Sequence, residues 1–350
     1  DDEELRTFPF LMIAAAWTAG FEGNWPEAWR YSEASIGLTA TAMPPDGTAS
    51  YESARALMFA GLGLGGVQEA RAQAEIAYRI EPPTSEWRPL AAALFGAASL
   101  AAGRNGEARS ALSEAATATT GPSGVTTYAM GQLAILNAIE QRWAAAERLC
   151  NHAIEAIERL GLENLVSSGA AYAMHAAAAA QRGDHPIAQL RLQAVNPLLP
   201  SLSTAMPFDA FQIHLLLAET YETIGQGRDA AVHAKAALRH HDLLRDVGVF
   251  RARLEALVAE LPSHTGTSQN PDETPTLTPR ERDVLALLPT SLSLRDIGEQ
   301  LYVSRDTVKT YVARIYRKLD VSTRSTAVTR AAQLGLIEQG RPDRAIAGSS

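Results

Sequence analysis

The sequence of 350 residues predicts an all-α protein built from two parts. Three observations support this prediction. A glycine–alanine pattern recurs every 38 to 42 residues through residues 1–261. A stretch at 262–276 contains three prolines and no large apolar residue. Helix start signals and helical apolar spacing then fill residues 277–337.

The recurring pattern places an alanine five residues after a glycine, or in one case a glutamine. Its six occurrences are Gly23/Ala28, Gly65/Ala70, Gly103/Ala108, Gln141/Ala146, Gly183/Ala188 and Gly225/Ala230. Glycine readily takes the left-handed conformation that ends a helix, and alanine lets the next helix pack closely. Each helix pair leaves an apolar face that a neighbouring pair must cover. We therefore expect six antiparallel pairs in a right-handed superhelix over residues 1–261, with a concave surface for a protein or small-molecule effector.

Residues 262–276 have the composition of a flexible linker, which over this length spans roughly 20 Å. The linker should let the two parts move independently. The polar tail at 338–350 is predicted to be disordered.

Residues 277–337 predict four short helices. Thr278-Pro279-Arg280-Glu281 and Ser293-Leu294-Arg295-Asp296 are helix start signals, and Ser304 can cap the third helix after a short Tyr302-Val303 turn. On this third helix, about 305–319, four apolar residues recur at helical spacing: Val308, Val312, Ile315 and Leu319. The remaining helix surface is short, hydroxylated and basic, and it includes Arg305, Asp306, Lys309, Thr310, Ala313, Arg314, Arg317 and Lys318. Such a surface suits the major groove of DNA.

A basic amphipathic helix alone is more often a solvated surface than a reader of bases. The whole stretch, however, resembles the LuxR-type helix-turn-helix family along about 60 residues. The matching positions are Thr278-Pro279-Arg280-Glu281-Arg282, Ile297, Leu301, Val303-Ser304, Thr307-Val308-Lys309-Thr310, Arg317-Lys318-Leu319, Val321, Arg324, Ala327-Val328 and Leu334-Gly335-Leu336-Ile337. Ser291, Gly298, Tyr311 and Asp320 depart from the family pattern and leave the base preference open.

The resemblance implies a role for individual residues. Lys309 and Thr310 would approach bases, within the surface that also carries Arg305, Ala313, Arg314 and Arg317. Phosphate contacts would come from Arg295, Ser304, Thr307 and Lys318. Contacts in a homodimer bound to double-stranded DNA would come from the fourth helix, at Arg324, Ala327, Val328 and Ala331.

The first part resembles tetratricopeptide-type repeats, although its period exceeds their usual length of about 34 residues. It is closer to the helical superhelix of the large MalT-like LuxR regulators. Those regulators carry a nucleotide-binding module before the superhelix. This chain starts with Asp1-Asp2-Glu3-Glu4 rather than methionine, which indicates processing or a longer parent protein. An ATP-dependent switch protein with its NTPase upstream is therefore one alternative.

The two parts differ in charge. Residues 277–350 hold 12 basic and 8 acidic residues, a net charge of +4, and the remainder of the −8 total is −12. A basic domain beside an acidic one is typical of local DNA binding. The acidic array leaves a second alternative, a protein-interaction scaffold with weak DNA affinity.

The rest of the sequence favours a cytoplasmic protein that is not an enzyme and needs no cofactor or metal. Cys150 is the single cysteine and no apolar run reaches membrane-spanning length. Gly61-Leu62-Gly63-Leu64-Gly65-Gly66 matches G-x-G-x-x-G, but the preceding residues predict a helix where a dinucleotide site needs a strand. His240-His241-Asp242 is interpreted as a surface helix end, because adjacent helical residues point apart.

Overall fold

The fold is described from a computed structural model. The residues that the structure describes are 8–40, 44–121, 123–244, 246–260, 279–290, 292–301, 305–319, 321, 324–333 and 336. Within them the regular secondary structure is entirely helical, which confirms the predicted all-α class. The chain divides into two compact units, residues 1–264 and 265–350, and each is treated by itself.

The first unit, called the array below, contains fourteen α-helices in its described residues. The first eight are α1 (Pro9–Phe21), α2 (Trp25–Ala34), α3 (Tyr51–Gly61), α4 (Val67–Ile80), α5 (Arg88–Ala101), α6 (Asn105–Ala116), α7 (Ser123–Ile139) and α8 (Trp143–Leu160). The next six are α9 (Gly169–Gln181), α10 (His185–Val195), α11 (Leu199–Ala205), α12 (Pro207–Thr223), α13 (Gly227–Leu243) and α14 (Phe250–Glu260). Short 3₁₀ turns at Val166–Ser168 and Asn196–Leu198 precede α9 and α11.

Six helix pairs make up most of the array. The partners are α1/α2, α3/α4, α5/α6, α7/α8, α9/α10 and α12/α13. The first helices of successive pairs also pack on each other, from α1 through α3, α5, α7 and α9 to α12. The second helices α4, α6 and α8 pack on the first helix of the following pair. The six predicted pairs and their stacking are confirmed, whereas the handedness of the superhelix stays a prediction.

The turn between the two helices of each pair contains the glycine or glutamine of the repeated pattern, which we call the corner residue. Each corner residue has the backbone conformation that the sequence pattern predicts. All six corner residues have positive φ: Gly23 (78°), Gly65 (85°), Gly103 (74°), Gln141 (61°), Gly183 (77°) and Gly225 (75°). At five corners the next residue's N–H donates to the carbonyl five positions back, at 2.8–2.9 Å. These bonds satisfy carbonyls that the helix end leaves open. The alanine five residues on is fully buried at five corners and 8% exposed at Ala70.

Ion pairs join neighbouring layers of the array, where a layer is one helix pair or the final helix α14. Arg71 of α4 pairs with Glu107 of α6 at 2.5 Å, and Arg109 of α6 pairs with Glu140 at 2.5 Å. Near the end, Arg253 of α14 pairs with Glu219 of α12 at 2.5 Å. Each of these pairs is partly exposed, so each contributes up to about 1 kcal/mol. These ion pairs help to specify which layers lie next to each other, and they contribute little to the stability of the array.

Some contacts run across several layers. The amide of Gln132, on α7, donates to the amide oxygen of Gln212, on α12, at 2.7 Å and thereby bypasses the intervening α9. The Val249 N–H donates to the Ala101 carbonyl at 2.9 Å. The short helix α11 packs against α1, at the opposite end of the array in sequence. The array's inner surface is thus partly filled by its own chain.

The second unit contains α15 (Pro279–Leu287), α16 (Leu294–Gln300), α17 (Arg305–Leu319) and α18 (Arg324–Gln333) in its described residues. Their buried apolar side chains form a separate small core. The third helix has the predicted bounds. The Thr278 and Ser304 caps, the Tyr302-Val303 turn, the linker at 262–276 and the tail at 338–350 lie outside the described residues.

Candidate nucleic-acid interface

Helix α17 is the centre of the second unit. Its apolar stripe is buried as predicted, with exposed fractions of 0% for Val308, 8% for Val312, 0% for Ile315 and 3% for Leu319. The helix packs on α15, α16 and α18. Three helices therefore hold this apolar stripe of α17 inside the domain.

Basic side chains are exposed on α17 and on the helix next to it. Arg305 and Lys309 are exposed on α17, and Arg295 is exposed on the neighbouring α16. The other predicted contacts on α17 lie within the helix, but their side chains lie outside the described residues: Thr307, Thr310, Ala313, Arg314, Arg317 and Lys318. Ser304 lies outside them entirely. The structure thus exposes Arg305 and Lys309 on the same helix that buries the apolar stripe.

The start of α16 is fixed by a reciprocal cap. The Ser293 N–H and hydroxyl both donate to the Asp296 carboxylate, at 2.9 and 2.7 Å, and the Asp296 N–H donates back to the Ser293 hydroxyl at 3.3 Å. These hydrogen bonds hold the pKa of Asp296 below its usual value. The predicted helix start is confirmed, and it orients the turn that carries Arg295.

Helix α18 makes several contacts within its own domain. The Arg324 guanidinium donates to the carbonyls of Leu288 and Thr290, both at 2.9 Å, and so closes the end of α15. Ala327 and Ala331 are fully buried inside the domain. Their role in a dimer stays a prediction. Of the four predicted dimer contacts, Val328 and Arg324 keep partial exposure, and Arg324 already has partners within the domain.

The sequence reading missed the capping role of Arg324. A signal was present, because the segment after α15 reads Leu288-Pro289-Thr290 and offers no glycine to close the helix. Such an end needs a donor from elsewhere to satisfy its carbonyls. Nothing local, however, shows that the donor lies 34 to 36 residues further along the chain.

The second unit is a compact domain of short helices. Its longest helix buries an apolar stripe and exposes basic groups. Helix-turn-helix domains have this architecture. Comparison with known families agrees. Residues 275–331 match the luxR family of bacterial regulatory proteins, and this segment is a LuxR-type helix-turn-helix domain.

Similar proteins match the chain mainly over this domain. The chain is 44% identical over 64 residues to "Probable transcriptional regulatory protein NarL" of Mycobacterium tuberculosis, which covers 18% of this chain and 30% of that protein. It is 33% identical over 96 residues to "DNA-binding transcriptional activator DevR/DosR" of the same organism, covering 26% of this chain and 43% of that protein. The chain thus spans less than half of either relative.

One solved structure resembles a larger share of the chain. The crystal structure of BtubC from P. vanneervenii covers 67% of this chain at 17% identity, with a TM-score of 0.37.

Two features of the array that resemble chemical sites in the sequence have structural roles. Cys150 is fully buried, and burial raises the pKa of its thiol, so it packs as an apolar residue. The residues before Gly61 form α3, as predicted, and Gly61–Gly66 is a corner between helices. Among the described residues no cluster is arranged to hold a metal ion, and no helix is long and apolar enough to cross a membrane.

The interpretation of His240-His241-Asp242 as a surface helix end requires correction at His240. The His240 side chain is only 9% exposed, and its ring stacks on that of His214 at 5.7 Å. His214 Nδ1 also lies 2.9 Å from His233 Nδ1. Burial and the neighbouring charges of His233, His240 and Arg239 lower the pKa of His214 to about 3. The three histidines form a buried neutral cluster between α12 and α13.

Proposed function

We propose that this protein is a sequence-specific transcriptional regulator whose carboxy-terminal domain binds double-stranded DNA. The observation that carries the proposal is α17, which buries an apolar stripe and exposes Arg305 and Lys309 beside it within a LuxR-type domain. The name of DevR/DosR describes a relative of this segment as DNA-binding. A net charge of +4 over residues 277–350 supplies attraction to the phosphate backbone.

In this proposal α17 enters the major groove. Lys309 and Thr310 approach base edges, and the surface continues through Arg305, Ala313, Arg314 and Arg317. Arg295, Ser304, Thr307 and Lys318 contact phosphates and set the register. Two copies bind two half-sites, with α18 between them and Val328 as the apolar contact that keeps exposure in one domain.

The array is proposed to receive an effector and to control the DNA-binding domain. Its net charge of −12 disfavours its own contact with DNA. The proposed boundaries are residues 1–261 for the array, 262–276 for the linker and 277–337 for the DNA-binding domain. A linker of this kind gives the domain room to find its site after the array has responded.

The test is selection of duplexes from a random library with the full chain at near-physiological salt. We expect enrichment of a roughly two-fold symmetric motif. The double substitution Lys309→Ala with Thr310→Ala should lose that motif, because each good base contact is worth about 1–3 kcal/mol. The matched control is Lys235→Ala, which removes an exposed lysine from the array. Unchanged selection by the double variant would show that α17 is not the reading surface.

A second candidate is a protein-interaction scaffold with only weak DNA affinity, which the acidic array of six helix pairs favours. The same experiment separates the two. If no motif is enriched and binding disappears with modest added salt, only phosphate attraction is present. Purification of a stable protein partner without DNA would then support the scaffold.

A further inference from the structure

A small cavity lies in the array where residues of four helix pairs meet. It has a volume of about 60 Å³, and its walls include the corner at Gly61–Gly66, helix α5 at Ala97 and Ala98, and the start of α12. The described lining residues are mostly apolar. They include two carboxylates, Asp209 and Asp246, and no lysine, arginine or histidine.

Asp209 is the unusual group in this wall. Its side chain is only 9% exposed, and its Oδ1 is buried without a hydrogen-bond partner in the described part of the chain. Burial raises the pKa of Asp209 to about 6, although the neighbouring Tyr128 hydroxyl and the backbone at the start of α12 act in the opposite direction. A carboxylate taken out of water without a cation destabilises a fold. Asp209 lies in the first turn of α12, where the partial positive charge of the helix end favours a carboxylate. This location therefore does not fully compensate the charge of Asp209.

The other lining groups fit a cation. Asp246 adds a second carboxylate, and its Oδ1 is oriented by the Gly248 N–H at 2.9 Å. The aromatic side chains of Tyr128 and Phe208 also line the cavity, and aromatic faces attract cations. An anionic ligand would meet two carboxylates and no described basic group.

We propose that this cavity binds a small organic cation, an ammonium group on a short apolar chain, with Asp209 as its counter-ion. The volume accommodates roughly four to six groups of the size of a water molecule. An ammonium on a chain of three to five carbons fits that space. The ammonium supplies the missing partner of the carboxylate, and the chain lies against Ala97, Ala98 and Met206.

The place of the cavity suggests how such a ligand acts. Its walls come from the second, third, fourth and sixth helix pairs, and Leu244 and Asp246 belong to the segment that leads into α14. A ligand held there joins layers far apart in sequence and stabilises the array by mass action. As the array's effector, this ligand rests on the proposed function, in which the array controls the DNA-binding domain.

The test uses the full chain and n-butylammonium as the probe, with butyrate and n-butanol as an anion and a neutral molecule of similar size. We expect n-butylammonium to raise the melting temperature and to bind measurably by calorimetry, and butyrate to do neither. Asp209→Asn keeps the shape and removes the charge, so affinity should fall at least tenfold. Asp229→Asn, at an exposed position on α13, is the matched control and should bind like the wild type.

Protonation gives a readout that simple packing does not. Because the pKa of Asp209 lies at about 6, its carboxyl is about half protonated at pH 6, and cation binding there should release up to about half a proton. The measured binding enthalpy should then differ between buffers with different ionisation enthalpies. In Asp209→Asn this difference should vanish.

The inference is overturned if n-butylammonium fails to bind to both the wild type and Arg245→Ala, or if Asp209→Asn binds it equally well. Arg245 lies outside the described residues, and its substitution removes a basic side chain next to Leu244 and Asp246 in sequence. Duplex selection by the full chain, with and without n-butylammonium, keeps the two proposals apart. A DNA motif without cation binding defeats only this inference, and cation binding without a motif in either condition defeats only the proposed function.

Discussion

The array and the DNA-binding domain solve the packing of short helices in different ways. The array sets its corners with residues of positive φ and packs fully buried alanines at the crossings. The domain uses larger apolar residues, such as Ile297 and Ile315, around a single helix and closes its ends with polar caps. The array brings distant layers together and buries polar groups such as Asp209 and His214 among them. The domain instead exposes basic side chains on α17.

The comparison predicts that the array tolerates extra volume least at its corner alanines. Ala146→Leu adds three carbons at a fully buried crossing of α8 and should destabilise the array by about 3 kcal/mol. Ala144→Leu, exposed on the same helix, should change stability by less than about 0.5 kcal/mol. Urea unfolding followed by circular dichroism measures both. Equal effects of the two substitutions would contradict close packing at the corner.

The domain should depend instead on its caps. Arg324→Ala removes two hydrogen bonds from a charged donor to the end of α15 and should cost the domain about 2 kcal/mol. Arg330→Ala removes an exposed arginine from the same helix and is the control. Amide hydrogen exchange in α15 to α18 of the full chain reports the loss locally. If Arg330→Ala accelerates exchange as much as Arg324→Ala does, the cap is not what stabilises the domain.

The buried histidines predict that the array loses stability in mild acid. The folded state holds the pKa of His214 at about 3, against 6.5 without the surrounding protein. A lowered pKa means that the unfolded chain binds more protons, so the stability present above pH 6.5 falls as the pH is lowered. His214 alone should account for about 1.4 kcal/mol between pH 7.5 and 5.5.

The measurement is urea unfolding at both pH values. His214→Gln should lower stability at pH 7.5 but reduce the difference between the two pH values. His152→Gln, at an exposed position on α8, should leave that difference intact. A difference that persists in His214→Gln would assign the acid sensitivity to other groups.

The corners predict the smallest effects, and these have opposite signs. Gly225→Gln places a side chain at φ 75° in open space, so its cost of about 1 kcal/mol comes from the backbone alone. Gln141→Gly relieves the same strain at φ 61° and should stabilise by up to about 1 kcal/mol, less what the freer unfolded chain gains. Chemical denaturation of both variants checks the pair, and two changes of the same sign would be inconsistent with it.

The sequence predicted features that depend on nearby residues. A corner residue of positive φ is usually a glycine close to a helix end, so the period of the array could be recognised from five glycines. The regular spacing also identified the sixth corner, at Gln141. The buried stripe of α17 follows from helical spacing in the same way. The capping residues Ser293 and Asp296 lie three positions apart, and their contact was equally predictable.

Features formed by distant residues were not predictable. Gln132 and Gln212 meet across 80 residues, and the cavity at Asp209 exists only because several layers converge. The sequence around His240 predicts a surface helix end, because its own helix alone does not show that His214 of α12 covers it. The burial of Ala327 and Ala331 depends on how α18 packs on α17, which their positions in the sequence alone do not show.

The central claim is that α17 meets DNA while the array does not. Amide hydrogen exchange of the full chain, with and without its selected duplex, tests this directly. The account predicts slower exchange across Arg305–Leu319 on DNA binding and no comparable change in the array helices α4 and α6. Slower exchange confined to the array, with α17 unchanged, would contradict it.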